Sequence, residues 1–113
     1  MKYKMVVSDL DGTLLNSNHK LSQYTIDIIK KISEKGIKFV IVTGRHYKDA
    51  RYFFNQIETG KYLISGNGSF VHNELGEVIS RKSISKELTK KLLELKVQEG
   101  TSTSIYIGGE WFT

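Results

Sequence analysis

The stretch Met5-Val6-Val7-Ser8-Asp9-Leu10-Asp11-Gly12-Thr13-Leu14-Leu15 decides how this 113-residue chain is read. Met5-Val6-Val7 is a short apolar run with two β-branched residues. Such residues fit a pleated surface covered on both faces, so the run reads as a buried parallel strand. It stops at two carboxylates, Asp9 and Asp11, spaced i, i+2, after which Gly-Thr breaks the pattern. In an open α/β sheet, ligands sit outside the carboxyl ends of the strands, which is where these acids fall. A loop after Asp9 lets both side chains converge on one ligand, one as nucleophile and the other as acid or base. Gly12 permits the turn, and the Thr13 hydroxyl can hold it. Taken alone, an Asp-x-Asp pair is equally well a solvated strand-to-loop acid cluster.

Working outward, Asn16 to Lys20 is polar and turn-like, and Ser22 is placed to cap a helix from about Gln23 to Lys35. Ile26, Ile29 and Ile32 give that helix its apolar side, and Gly36 ends it. Ile37 to Val42 is a second β-rich run, ending in Thr43-Gly44-Arg45, and a helix from about His46 to Gln56 follows. Lys61 to Ile64 is a third short strand, closed by Ser65-Gly66-Asn67-Gly68. The alternation β-α-β-α-β predicts a parallel sheet with right-handed crossovers. Phe70-Val71-His72 and Val78 to Arg81 then flank a Gly-containing loop, a hairpin signal. Ser85 is placed to cap a helix from Lys86 to about Gln98, followed by a strand at Thr103 to Ile107 and a Gly-Gly turn before Glu110 to Thr113. The best boundary lies near Lys82 to Ser85.

Length and a 39% hydrophobic fraction suit one modest domain. No stretch approaches the ~20 apolar residues of a membrane span, and the basic N-terminus lacks the apolar run of a signal peptide. The absence of cysteine excludes disulfides and thiolate metal sites in these residues and agrees with a cytoplasmic location. The formal charge of +5 suits anionic substrates, phosphate esters among them. Nucleic acid is the competing partner, but the lysines are scattered over polar helix positions and no recognition motif accompanies them. His19, His46 and His72 lack the spacing of a zinc site and read as surface or packed residues. Tyr3, Tyr24, Tyr47, Tyr52, Phe53 and Phe54 read as core and interface packing rather than a base-stacking platform.

The second and third loops should stand beside the first on one sheet edge. Thr43 and the backbone at Gly44 are suitable donors to a phosphoryl group, although Thr43 could equally be an ordinary helix N-cap. Arg45 either binds a substrate anion or pairs with a nearby acid. Asn67 either lines a substrate pocket or makes a turn.

Asp-Leu-Asp-Gly-Thr-Leu-Leu after an apolar strand resembles the first motif of the haloacid dehalogenase (HAD) superfamily of phosphohydrolases. Val-Thr-Gly-Arg resembles its second motif in the form found in subfamily IIB, the Cof-type phosphatases, and Ser-Gly-Asn-Gly resembles the segment closing their third strand. The resemblance implies an α/β fold: a HAD-like, Rossmannoid parallel sheet with helices on both faces, incomplete here, in residues 1–83. Residues 84–113 would begin an α+β cap of type C2. It further implies that Asp9 attacks phosphorus and forms an aspartyl-phosphate, that Asp11 is the acid and then the base, and that Thr43 and Gly44 bind phosphate. Arg45 and Asn67 would face the substrate, and Mg²⁺ would be held by Asp9 and Asp11. The substrate would be a sugar phosphate or other small phosphorylated metabolite, with neither nucleic acid nor membrane as partner. The family's third-motif lysine and fourth-motif aspartates follow the cap, beyond Thr113, as do the strands that flank the first one. Lys4 to Ser8 would then be an open apolar edge, suited to a homodimer or a swapped assembly, and activity in these 113 residues would be weak or absent. The alternative is a catalytically silent fragment or interaction module that completes its sheet with another chain.

Overall fold

The computed structural model describes residues 2–95 and 97–113. They divide into two compact units, Met1–Lys82 and Ser83–Thr113. The first unit contains β1 (Met5–Ser8), α1 (Gln23–Glu34), β2 (Lys38–Val42), α2 (Tyr47–Phe54), β3 (Gly60–Ser65), β4 (Phe70–Asn73) and β5 (Val78–Arg81). These strands form one sheet in the order β1-β2-β3-β4-β5. The first three are parallel, with Val7 opposite Val40 and Ile41 opposite Leu63. β4 and β5 are antiparallel, so the expected hairpin does not stand apart but widens the parallel sheet into a mixed one.

Local chemistry explains the element ends. Ser22 accepts the Thr25 N–H (3.2 Å) and starts α1. At the other end Gly36 has φ +80°, its N–H reaches Ser33 O (2.9 Å), and the Ile37 N–H reaches Ile32 O (3.2 Å). That pair of bonds is a Schellman ending, which satisfies carbonyls the helix leaves open. Helix α2 begins one turn later than an N-cap at Thr43 would require. His46 is the cap, its Nδ1 accepting the Lys48 N–H (3.2 Å).

Phe39, Ile41 and Leu63 point to one face of the sheet and join Ile29 of α1 and Ala50, Phe53 and Phe54 of α2 in a single cluster. Successive parallel strands stepping one way, joined by crossovers of one hand, keep both helices on that side. The first unit is thus the expected α/β sheet, with both of its helices packed on this side. β1 departs from the reading of a strand covered on both faces: Met5 is 45% exposed and Val7 57% exposed. Its only neighbour among the described residues is β2.

In the second unit, α3 spans Lys86–Leu93 and β6 (Ile105–Ile107) pairs antiparallel with β7 (Glu110–Phe112). The helix is shorter than the Gln98 limit expected, and position 96 lies outside the described residues. Leu88, Leu92 and Leu93 are all about half exposed, so the apolar side that lengthens a helix through packing is scarcely used. Trp111 stacks on Tyr106 with centroids 6.1 Å apart, which gives the terminal aromatic a partner across the hairpin.

Gly60 and His72 are tightly packed. A Cβ at Gly60 would lie 2.6 Å from Phe54 Cε2, and Phe54 is buried. Gly60→Ala should therefore cost about 1–3 kcal/mol of stability, read as a lower urea midpoint with unchanged m-value. His72 is buried, stacks on Tyr47 (3.5 Å between centroids, 9° between planes), and its Nδ1 has no hydrogen-bond partner among the described residues. Burial, with a smaller push from His46, holds this imidazole below the ordinary histidine value. The unfolded chain takes up a proton at about pH 6.5 while the folded chain resists it. The stability that neutral His72 contributes is thus complete above that pH and is lost as pH falls below it. We expect urea unfolding free energy to decline in mild acid, and His72→Phe, which retains a ring against Tyr47, to flatten the decline; an unchanged slope would assign it to other groups.

Candidate active site

β1 ends at Ser8, and the chain enters a tight turn over Leu10–Leu14 closed by Leu15 N–H to Leu10 O (3.0 Å). Leu10 and Leu15 are buried and pin this turn to the core, while Asp9, Asp11 and Thr13 stay exposed. The alternation acid, leucine, acid has a simple cause: the apolar side chain goes inward and its neighbours go outward. Gly12 has φ +72° with open space where a Cβ would stand, so backbone conformation alone requires glycine there. Among the described residues the Asp9 carboxylate bonds only within its own loop, accepting the Leu10 N–H (2.7 Å).

The parallel register brings the second and third loops to the same edge. Thr43 follows β2; its N–H bonds Ile64 O (2.9 Å), and its carbonyl accepts the Asn67 N–H (3.1 Å). Thr43 is buried, and its Oγ1 accepts the Arg45 N–H (3.1 Å), which leaves the hydroxyl proton free to donate to a ligand. The Arg45 carbonyl accepts the Gly66 N–H (2.8 Å). Asn67 adopts the left-handed conformation at φ +55°, which asparagine tolerates better than most residues. Its Oδ1 would be 2.9 Å from a Cβ at Gly44, so glycine at 44 lets the third loop close onto the second.

Of the two readings for Arg45, the structure shows pairing with an acid. The guanidinium donates Nε–H to Asp11 Oδ2 and Nη2–H to Asp11 Oδ1, both at 2.7 Å. It also lies over the Phe53 ring, 5.1 Å from its centroid. A planar fork matched to a carboxylate is the strong form of such a pair. Its hydrogen bonds hold the Asp11 carboxyl below the usual carboxylate range and raise the Arg45 guanidinium above its own.

Asp11, Thr43, Gly44, Arg45 and Asn67 are thus joined across three loops, while Asp9 stands at the root of the first. Sequence reasoning did not anticipate Phe53 under the guanidinium or the Gly66 amide on the Arg45 carbonyl. Phe53 did carry a signal, as an aromatic on the apolar side of the helix that follows the Arg loop. Two surface depressions of about 430 and 380 Å³ lie elsewhere and include none of these residues.

Carboxylate and carbonyl oxygens at Asp9 and Asp11 are hard donors of the kind that suit Mg²⁺, which keeps several waters and needs few protein ligands. No group of three or more histidine, cysteine or acidic side chains placed to hold a metal occurs among the described residues. The donors at Asp9 and Asp11 are of the chemistry that suits such an ion, and they number two residues.

Residues 6–113 match the family model described as haloacid dehalogenase-like hydrolase. The chain belongs to this family. It is 31% identical over 110 residues to an HMP-PP phosphatase of Klebsiella pneumoniae (strain 342), covering 97% of this chain and 40% of the relative. An HMP-PP phosphatase of Shigella flexneri serotype 5b is 30% identical over 110 residues, with the same coverage of 97% and 40%. Among solved structures, a haloacid dehalogenase-like hydrolase from Bacteroides thetaiotaomicron superposes with a TM-score of 0.73 at 32% identity, covering 82% of this chain and 36% of that one. One from B. subtilis gives 0.73 at 32%, covering 80% and 32%. The HAD-like chain thus spans about two fifths of the length of the curated relatives it matches.

The Arg45–Asp11 fork gives a pH prediction for this HAD-like site. A carboxyl with a lowered folded value keeps its pairing above the ordinary carboxylate range and loses it as pH falls through the folded value. In ¹⁵N spectra of arginine side chains, the bonded Arg45 Nε–H signal should persist through mild acid and vanish only below that range. Asp11→Asn should weaken it at every pH, and a signal insensitive to both would contradict the pairing.

Proposed function

We propose that this chain carries the nucleophile, the acid–base group and the phosphate-binding loop of a Mg²⁺-dependent phosphomonoesterase acting on small phosphorylated metabolites. The observation that carries this is the convergence of the Asp9–Asp11 turn and the Thr43-Gly44-Arg45 loop on one sheet edge, tied by the Arg45–Asp11 fork. In this reading residues 1–83 are part of a HAD core and residues 84–113 the beginning of a C2 cap. The relatives named as HMP-PP phosphatases support a small phosphorylated substrate. No helix among the described residues is long and apolar enough to cross a membrane, and a cytoplasmic location accords with such a substrate.

Asp9 attacks the phosphorus, and the ester oxygen leaves with a proton from Asp11, which must first take one up because the Arg45 fork holds its carboxyl below the usual carboxylate range. Water then attacks the aspartyl-phosphate while the Asp11 carboxylate accepts its proton, the reverse duty required by microscopic reversibility. Thr43 Oγ donates to the transferring phosphoryl group, and the Gly44 backbone lies open beside it. The Asp9 carboxylate and the Asp11 backbone carbonyl would hold Mg²⁺, which when bound would neutralise charge on the phosphoryl oxygens.

A second reading rests on one observation, the open β1 edge with Met5, Val6 and Val7 exposed. In it the chain is catalytically silent and completes its sheet through that edge, with a second copy or another chain.

Hydrolysis of p-nitrophenyl phosphate separates the two. The first reading expects Mg²⁺-dependent turnover, weak in these 113 residues, abolished by EDTA and lowered to background in Asp9→Asn, as when a covalent step is removed. Turnover no greater than in Asp9→Asn overturns that reading for these 113 residues, and sedimentation would then test for assembly through β1.

A further inference from the structure

Arg45 is anchored on several sides. Its N–H donates to Thr43 Oγ1 (3.1 Å), its carbonyl accepts the Gly66 N–H (2.8 Å), and its guanidinium rests 5.1 Å from the centroid of the buried Phe53 ring. Asp11 has less support, a local backbone hydrogen bond and the charge of His19 besides the fork. It stands on an exposed turn next to a glycine, and among the described residues its carboxylate bonds no side chain other than Arg45. Its direction is therefore set by a residue 34 positions away in the chain. An ionised carboxylate offers about four lone-pair sites. The fork takes one on each oxygen, so each oxygen can still accept a further hydrogen bond.

A carboxylate held in this way is fixed in direction, with one lone pair on each oxygen left open to a water. Resting on the phosphatase reading above, we propose that Arg45 is a positioning residue for the water step, presenting Asp11 as the oriented base that acts on the aspartyl-phosphate. In that step the water oxygen bonds to phosphorus as the bond from phosphorus to the Asp9 oxygen breaks. The electron pair of the broken bond returns to the Asp9 carboxylate, the water proton passes to Asp11, and inorganic phosphate leaves. The preceding attack of Asp9 on an ester with a good leaving group, such as p-nitrophenolate, needs no proton from Asp11. Loss of Arg45 therefore slows the second step and spares the first. Direct contact of Arg45 with the ester phosphate would have the opposite signature, because binding and the first step would suffer.

The test uses the whole chain with p-nitrophenyl phosphate and Mg²⁺, comparing wild type with Arg45→Ala, Arg45→Lys and Arg45→Gln. Steady-state rates are combined with intact mass after acid quench, and thermal melts report folding. Arg45→Gln keeps a stem against Phe53 and replaces the alanine variant if that one unfolds. The expected result for the alanine or glutamine variant is a kcat lower by about tenfold or more, a KM lower in proportion, and kcat/KM nearly unchanged. A phosphoryl adduct, scarce in wild type at steady state and absent from the same variant carrying Asp9→Asn, should accumulate. Lysine, a point charge without the fork, should not restore turnover to the wild-type rate. A lower kcat/KM without an adduct overturns the inference and leaves the phosphatase reading standing, as does equal adduct in wild type and variant. Neither turnover nor adduct in wild type refutes the phosphatase reading of this chain, and the inference falls with it.

Discussion

Parallel pairing of β1, β2 and β3 is the constraint from which the rest of the first unit follows. Parallel neighbours cannot be joined by a tight turn, so each needs a crossing helix, and helices of one crossover hand on strands stepping one way land on the same face. That face supplies the cluster of Phe39, Ile41, Leu63, Ile29 and Phe53. The same constraint sends every strand-to-helix loop to one edge. The turn after β1 and the loop after β2 meet there because their strands run the same way.

What then turns adjacent loops into one site is a short series of polar contacts. The third loop is fastened to the second through backbone bonds from Asn67 to Thr43 and from Gly66 to Arg45. The second is fastened to the first by the fork between Arg45 and Asp11. Each contact is modest when exposed to water. Their effect is geometric: they settle where the acids and donors stand relative to one another.

The edge strand shows how far pattern reading reaches. Met5-Val6-Val7 has the composition of a strand covered on both faces, yet it is exposed, because burial belongs to the neighbours a strand finds and not to its own residues. Helix α3 shows the same limit at its C-terminus. Its leucines follow helical spacing, but they stay about half exposed, and the helix ends at Leu93, short of Gln98. The hairpin of β4 and β5 was visible from its Gly-containing loop, whereas its place beside β3 was not, since no local signal states which strand a hairpin joins.

Short-range chemistry was legible in the order of residues alone. Apolar period, Ser22 and Gly36 as helix ends, the alternation of strands and helices, and the acid-leucine-acid turn all depend on neighbours within about four positions, and so did the family resemblance carried by contiguous motifs. The choice between a free Arg45 and an Arg45 paired with Asp11 could not be made that way. It depends on two residues 34 positions apart being brought within 2.7 Å by strand register and crossover hand, and on an aromatic ring from α2 lying beneath the guanidinium. Only the folded chain sets those distances, because they are sums over every intervening element and belong to no single stretch of it.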